Sequence, residues 1–120
     1  MTDFDVAILG GGLAGLTAGL YATREGLNVT LFDQMGPGGQ LNNVGQIDNF
    51  PGFPNGTTGT ELASSTAEQA LNAGLQFQFG EVSRLTTSEN VWSVQTMMET
   101  VTSKTVIVAL GSTFAKLNVP

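Results

Sequence analysis

Asp5-Val6-Ala7-Ile8-Leu9 is a short apolar run that stops at Gly10-Gly11-Gly12, after which the spacing changes: Leu13, Leu16 and Leu20 share one helical face, with Ala14, Ala18 and Ala22 beside them. The run predicts a strand buried on both faces of a parallel sheet, and the spacing predicts a helix from Leu13 to Glu25 with Gly26 as its C-cap. Gly15 and Gly19 give that helix a flat side. Val29 to Phe32 reads as a second strand with Asp33 at its carboxyl end, closing a right-handed strand–helix–strand unit. Further on, Thr58-Gly59-Thr60-Glu61 has the spacing of a capping box. It opens a second helix whose expected inner face is Ala63, Ala67, Ala70 and Leu71, ending near Gly74. Leu75 to Phe79 predicts a third strand. Val82 to Thr86, Val91 to Met97 and Lys104 to Ala109 predict a meander with a turn at Ser88-Glu89-Asn90. The unbroken apolar run Thr105 to Leu110 is expected to re-enter the buried sheet. There is no internal repeat and no low-complexity tract.

Between the two helical patterns lies GPGGQLNNVGQIDNFPGFPNG, Gly36 to Gly56, with three of the chain's four prolines and six of its sixteen glycines. Such backbone forms neither a long helix nor a central strand. Composition narrows what the chain can do around it. At 120 residues, 41% hydrophobic and 12% charged, the chain is long enough for one domain with its own core, and it lacks the signature of disorder. A net charge of -6 with only four Lys and Arg argues against nucleic acid and anionic membrane surfaces as partners. The acidic start Met1-Thr2-Asp3-Phe4-Asp5 and the lack of a long apolar run predict a cytosolic, soluble protein. Cysteine and histidine are absent, which removes thiol nucleophiles, imidazole bases and the usual zinc ligands. No catalytic residue and no metal site is expected. Redox chemistry must then come with a bound cofactor or another polypeptide.

Gly10-x-Gly12-x-x-Gly15 follows a strand and opens a helix, the position a dinucleotide fingerprint requires. The first glycine permits the turn, the second admits a pyrophosphate to the backbone, and the third lets helix and strand approach. Asp33, twenty or so residues on, can accept hydrogen bonds from a ribose diol and would repel a 2′-phosphate, favouring FAD or NAD over NADP. A ligand-free glycine turn and a solvated aspartate remain the plain alternatives. The long excursion from Gly36 favours a flat ligand. Gly38-Gly39-Gln40-Leu41 offers unobstructed N–H groups, Gln40 and Asn49 offer amides for an isoalloxazine edge, and Phe50, Pro51, Phe53 and Pro54 form an apolar support. An ordinary surface loop anchored by two phenylalanines is the competing reading.

Gly10-Gly11-Gly12-Leu13-Ala14-Gly15, Gly38-Gly39-Gln40-Leu41, Asp48-Asn49-Phe50-Pro51-Gly52-Phe53-Pro54, Gly59-Thr60-Glu61-Leu62 and Val106-Ile107-Val108-Ala109-Leu110-Gly111 together resemble the low-molecular-weight thioredoxin reductases, in order and spacing, over essentially the whole chain. The resemblance implies an α/β fold: a three-layer Rossmann-like parallel sheet with a glutathione-reductase-type β-meander, an FAD/NAD(P)-binding domain lacking its C-terminal segment. Residues 1–120 would form one partial FAD-binding domain, with 1–81 and 104–111 in the parallel sheet and its helices and 82–104 in the meander. It also implies cofactor contacts. The ADP half would lie on Gly10, Gly12, Leu13, Ala14, Gly15, Asp33 and Gln34, the flavin on Gly39, Gln40, Leu41 and Asn49, and the adenine on the backbone of Val82. Ala109 and Gly111 match a turn near the cofactor.

This chain departs from the family pattern at Leu13, usually proline, at Leu110, usually threonine, and at Val44 and Gly45, often hydroxyl residues. In that family a nicotinamide-binding domain with a Cys-x-x-Cys pair follows the region matching Val119-Pro120, and a Gly-Asp segment then completes the FAD domain. NADPH would therefore act only through that missing domain. Two functions follow as expectations: an FAD-binding segment of a thioredoxin reductase-like oxidoreductase, or a non-catalytic module that joins a second copy or a complementing chain. An NAD-dependent or ferredoxin-NADP-type reductase is a third, weaker reading. Glu61, Glu68 and Glu81 read as cap and surface charges, and Trp92 as meander packing.

Overall fold

A computed structural model describes residues 1–111, apart from the side chain of Gln40. The Val119-Pro120 junction lies outside the described residues. The chain runs β1 (Phe4–Leu9), α1 (Leu13–Arg24), β2 (Val29–Asp33), a 3-10 turn (Gly39–Asn43), β3 (Gln46–Ile47), β4 (Thr57–Thr58), α2 (Gly59–Ala73), β5 (Gln76–Phe79), β6 (Arg84–Ser88), β7 (Val91–Gln95) and β8 (Thr100–Val108). Six strands form one sheet in the order β5-β2-β1-β8-β7-β6. The first four are parallel, whereas β6 and β7 pair antiparallel, each with its neighbour.

Side-chain alternation along β1 and β2 separates two cores. Val6 and Ile8 of β1 and Val29 and Leu31 of β2 join Leu16 and Leu20 of α1 and Ala67, Ala70 and Leu75 on one side. Ala7, Leu9 and Phe32 join Val94 and Val101 on the other. The register Val6↔Val29 and Ile8↔Leu31 brings same-face residues level, since a period of two sends neighbours to opposite faces. Helices, parallel sheet and meander therefore make three layers, as the resemblance implies.

The helices lie where the sequence puts them, with corrections: α1 ends at Arg24 with Glu25 as its C-cap, and Gly26 follows just beyond at φ +86°. Thr58 accepts a hydrogen bond from the Glu61 N–H at 3.2 Å, but the reciprocal half of the capping box is missing, and the Glu61 carboxylate takes the Thr57 hydroxyl at 3.3 Å. Leu71, expected inside, is 45% exposed. Leu62 is buried in its stead. The buried arc of Leu62, Ala63, Ala67 and Ala70 is centred about 100° away from Leu71 at the angular step of an α-helix, so Leu71 points past the sheet.

β8 is longer than the sequence suggests and serves two partners. Thr100 to Ser103 pairs antiparallel with β7, and Ser103 to Val108 pairs parallel with β1. The expected burial of the run Thr105 to Leu110 fails: Ile107, Val108 and Leu110 are 37%, 63% and 70% exposed. Among the described residues no strand pairs with Lys104 to Val108 on the side away from β1.

Candidate functional site

The fingerprint turn sits where β1, β2 and β8 end together. Gly10 has φ +115°, in the region that favours glycine, and a Cβ there would collide with the Ala109 carbonyl. Ala109 in turn donates its N–H to the Leu9 carbonyl at 2.8 Å. A Cβ on Gly15 would strike the Gly10 carbonyl oxygen, so the close approach expected of the third glycine is real. Gly12 is different: it is the N-cap of α1 in extended conformation, without a side-chain cap, and a Cβ there would meet nothing within 4 Å. The head of α1 thus has open space at the one fingerprint position where a ligand needs it. Unpaired N–H groups at a helix start favour an anion in that space.

The Asp33 carboxylate is held beside this turn. Its Oδ2 accepts the Gly11 N–H and its Oδ1 the Met35 N–H, both at 2.7 Å. The Gly38 N–H donates to the Gly11 carbonyl at 2.6 Å. One of the N–H groups expected to face a flavin is therefore used inside the protein. Gly39 lies over the fingerprint, since a Cβ on it would come within 3.3 Å of the Gly12 Cα. The 3-10 turn continues with the Leu41 N–H on the Gly38 carbonyl and the Val44 N–H on the Leu41 carbonyl. Gly59 locks it to α2 by donating its N–H to the carbonyls of Val44 and Gly45, and a Cβ on Gly59 would overlap the Leu41 carbonyl.

The rest of the irregular stretch is a closed loop. Gln46 and Ile47 pair with Thr58 and Thr57, pinching its base, and the rings of Phe50 and Phe53 lie 6.0 Å apart at 56° inside it. Asp48 to Pro54 line a shallow cavity of about 420 Å³. Asn49 is exposed in this loop and makes no hydrogen bond with the fingerprint or Asp33 among the described residues. A second groove, about 460 Å³, lies between Pro37 and Asn42 of the 3-10 region and Ala63, Ala67 and Leu71 of α2.

Gly10, Gly12, Gly15, Asp33, Gly39 and Ala109 come together at the ends of β1, β2 and β8. Leu13 and Ala14 form the first turn of α1, Gln34 is exposed after Asp33, and Gly111 is exposed with φ +74°. Val82 packs, partly buried, against the core cluster on the meander side. Gly11 and Met35 were not singled out as contacts, and Gly38 was expected to offer its N–H to a flavin rather than to the Gly11 carbonyl. Only their main chain takes part, which residue type does not reveal.

The geometry defines an α/β domain of the dinucleotide-binding class. Residues 4–120 match the family model described as pyridine nucleotide-disulphide oxidoreductase, and the chain belongs to that family. It is 38% identical over 120 residues to NADPH-dependent thioredoxin reductase 3 of Arabidopsis thaliana, covering 97% of this chain and 23% of that protein. It is 33% identical to thioredoxin reductase of Treponema pallidum, over 99% of this chain and 39% of that one. Among solved structures, Lactococcus lactis thioredoxin reductase superposes with a TM-score of 0.93 at 32% identity, over 98% of this chain and 39% of that chain. The chain spans well under half the length of these relatives, and it corresponds to the amino-terminal segment of thioredoxin reductases. No helix among the described residues is long and apolar enough to cross a membrane.

Proposed function

We propose that this chain is the FAD-binding part of a thioredoxin reductase-type flavin oxidoreductase. The open cradle at Gly12, flanked by the Asp33 carboxylate and overlain by Gly39, is the observation that carries the reading. The head of α1 and the backbone around Gly10 and Gly12 hold the diphosphate. Asp33 accepts the ribose hydroxyls, and Gln34 and the Val82 backbone border the adenosine. Gly39, Gln40, Leu41 and Asn49 would face the flavin, with Ala109 and Gly111 in a turn near the cofactor. Bound FAD would supply the two-electron chemistry, which in an intact relative moves electrons from NADPH to a disulfide. This chain binds, orients and shields; the NADPH site and the cysteine pair belong to a further domain. A cytoplasmic setting accords with the lack of cysteine and the acidic composition. Titrating the protein with FAD should quench flavin fluorescence at micromolar concentrations. Unchanged fluorescence at tens of micromolar would refute retained binding.

A second reading, a half-protein that requires a complementing chain or a second copy, is favoured by the edge of β8 that has no partner strand among the described residues and by its exposed apolar face. Sedimentation velocity over a range of concentrations tests it. A strict monomer, with and without FAD, removes self-association.

A further inference from the structure

The Asp33 carboxylate stands in a closed circuit of main-chain contacts. It accepts the N–H of Gly11 in the fingerprint and the N–H of Met35 in the following loop, and that loop returns through the Gly38 N–H to the carbonyl of the same Gly11. The Gly11 peptide is thereby gripped at both its polar ends. Its Cα explains why a wildcard position of the fingerprint is glycine here, because a Cβ would lie 3.0 Å from the Asp33 Cβ and 3.2 Å from Oδ2. Gly39, which overlies Gly12, directly follows the residue that makes the return contact.

We propose that Asp33 is the positioning residue for the whole cradle: it sets the fingerprint turn and the Gly38-Gly39 loop relative to each other before any ligand arrives. This goes beyond its role as a ribose acceptor and rests on the binding reading above. An ionised carboxylate has about four lone-pair sites. The N–H groups of Gly11 and Met35 use one on each oxygen, which leaves one on each for the two hydroxyls of a ribose diol. The side chain can hold the loops and the diol together. Asparagine keeps a single acceptor oxygen, which can hold one of the two N–H groups, and its NH₂ would face the other, so the two contacts cannot both survive.

The test uses Asp33→Asn in the full chain, with ADP and 2′,3′-dideoxy-ADP as calorimetric probes and amide hydrogen exchange on the ligand-free protein. A positioning role predicts that affinity falls roughly tenfold or more for both nucleotides, as expected for lost hydrogen bonds to a charged group. It also predicts faster exchange at the Gly11 and Met35 amides. Loss of ADP affinity alone, with dideoxy-ADP binding and both amides unchanged, would overturn the proposal and leave the FAD reading intact. Should Asp33→Asn fail to fold, Gly11→Ala separates the same contact while keeping the acid. Weaker binding of both nucleotides supports the proposal, and wild-type binding of both overturns it. If the wild type binds neither nucleotide, the functional reading fails, and the exchange comparison still decides whether Asp33 holds the loops.

Discussion

Gly12→Ala separates ligand from fold. The new methyl meets no atom within 4 Å, so it causes no clash in the free protein. Gly12 has φ -73° and ψ -170°, which alanine adopts without strain. Stiffening the unfolded chain stabilises by about 0.4–1 kcal/mol. Alanine is a poorer N-cap than glycine, by roughly 0.5–1 kcal/mol. These terms nearly cancel, and the net change in stability should stay within about 1 kcal/mol. Binding should behave otherwise, because the methyl fills the space a diphosphate needs against the main chain. Displacing the anion from one N–H costs about 1.5–3 kcal/mol, a ten- to hundredfold loss of FAD affinity. Gly15→Ala is the contrasting control: its methyl overlaps the Gly10 carbonyl, a backbone atom that cannot rotate away, and overpacking of that kind costs roughly 1–3 kcal/mol. Urea unfolding and flavin fluorescence read the two quantities separately. A Gly12→Ala protein that binds FAD like the wild type would refute the cradle, and one destabilised as much as Gly15→Ala would refute the claim of open space.

Three further outcomes are expected. Arg24 ends α1 at the opposite end from the fingerprint, Arg84 opens β6 at the outer edge of the sheet, and Lys104 pairs with Asp5 at 3.3 Å, so no cation among the described residues 1–111 faces the cradle. ADP affinity should then change only weakly between low and moderate salt; a steep loss measured by calorimetry would contradict binding by main-chain dipoles. Glu89 and Asn90 both have positive φ, 53° and 64°, in a two-residue hairpin turn, and Glu89→Asn with Asn90→Gly should raise stability by about 1 kcal/mol in urea melts. The Asn28 N–H, then Lys104, hold the Asp5 carboxyl below its ordinary value of 3.8. A depressed carboxylate stabilises fully above the unfolded value and loses that contribution as pH falls through the folded one, so the difference between wild type and Asp5→Asn should shrink as pH drops from about 5 to below 3.

Much of the fold was legible because it rests on periodicity. The change from the Val6–Leu9 run to the Leu13–Leu16–Leu20 spacing marks β1 and α1, and glycines with positive φ at positions 26 and 74 mark where the helices stop. Elements of two residues carry no period, so β3 and β4 were invisible. The dual pairing of β8 was hidden too, since a run of nine strand residues does not say which of two neighbours each one meets. Leu71 misled because an apolar residue at the rim of a helix face fits the spacing without reaching the core. At the site, Gly10, Gly12, Gly15 and Asp33 stood out by type and position. The contacts of Gly11, Met35 and Gly38 did not, being made by peptide groups that every residue shares.

The pairing of Phe4 with Ser103 sets an order of events for folding. β1 can find β2 through a short crossover, but its other edge stays bare until a segment almost a hundred residues downstream arrives, so the central sheet closes late. Topologies dominated by such distant partners fold slowly, in roughly milliseconds to seconds. Because the stretch that closes the sheet also brings Ala109 against Gly10, the nucleotide cradle should be among the last features to mature.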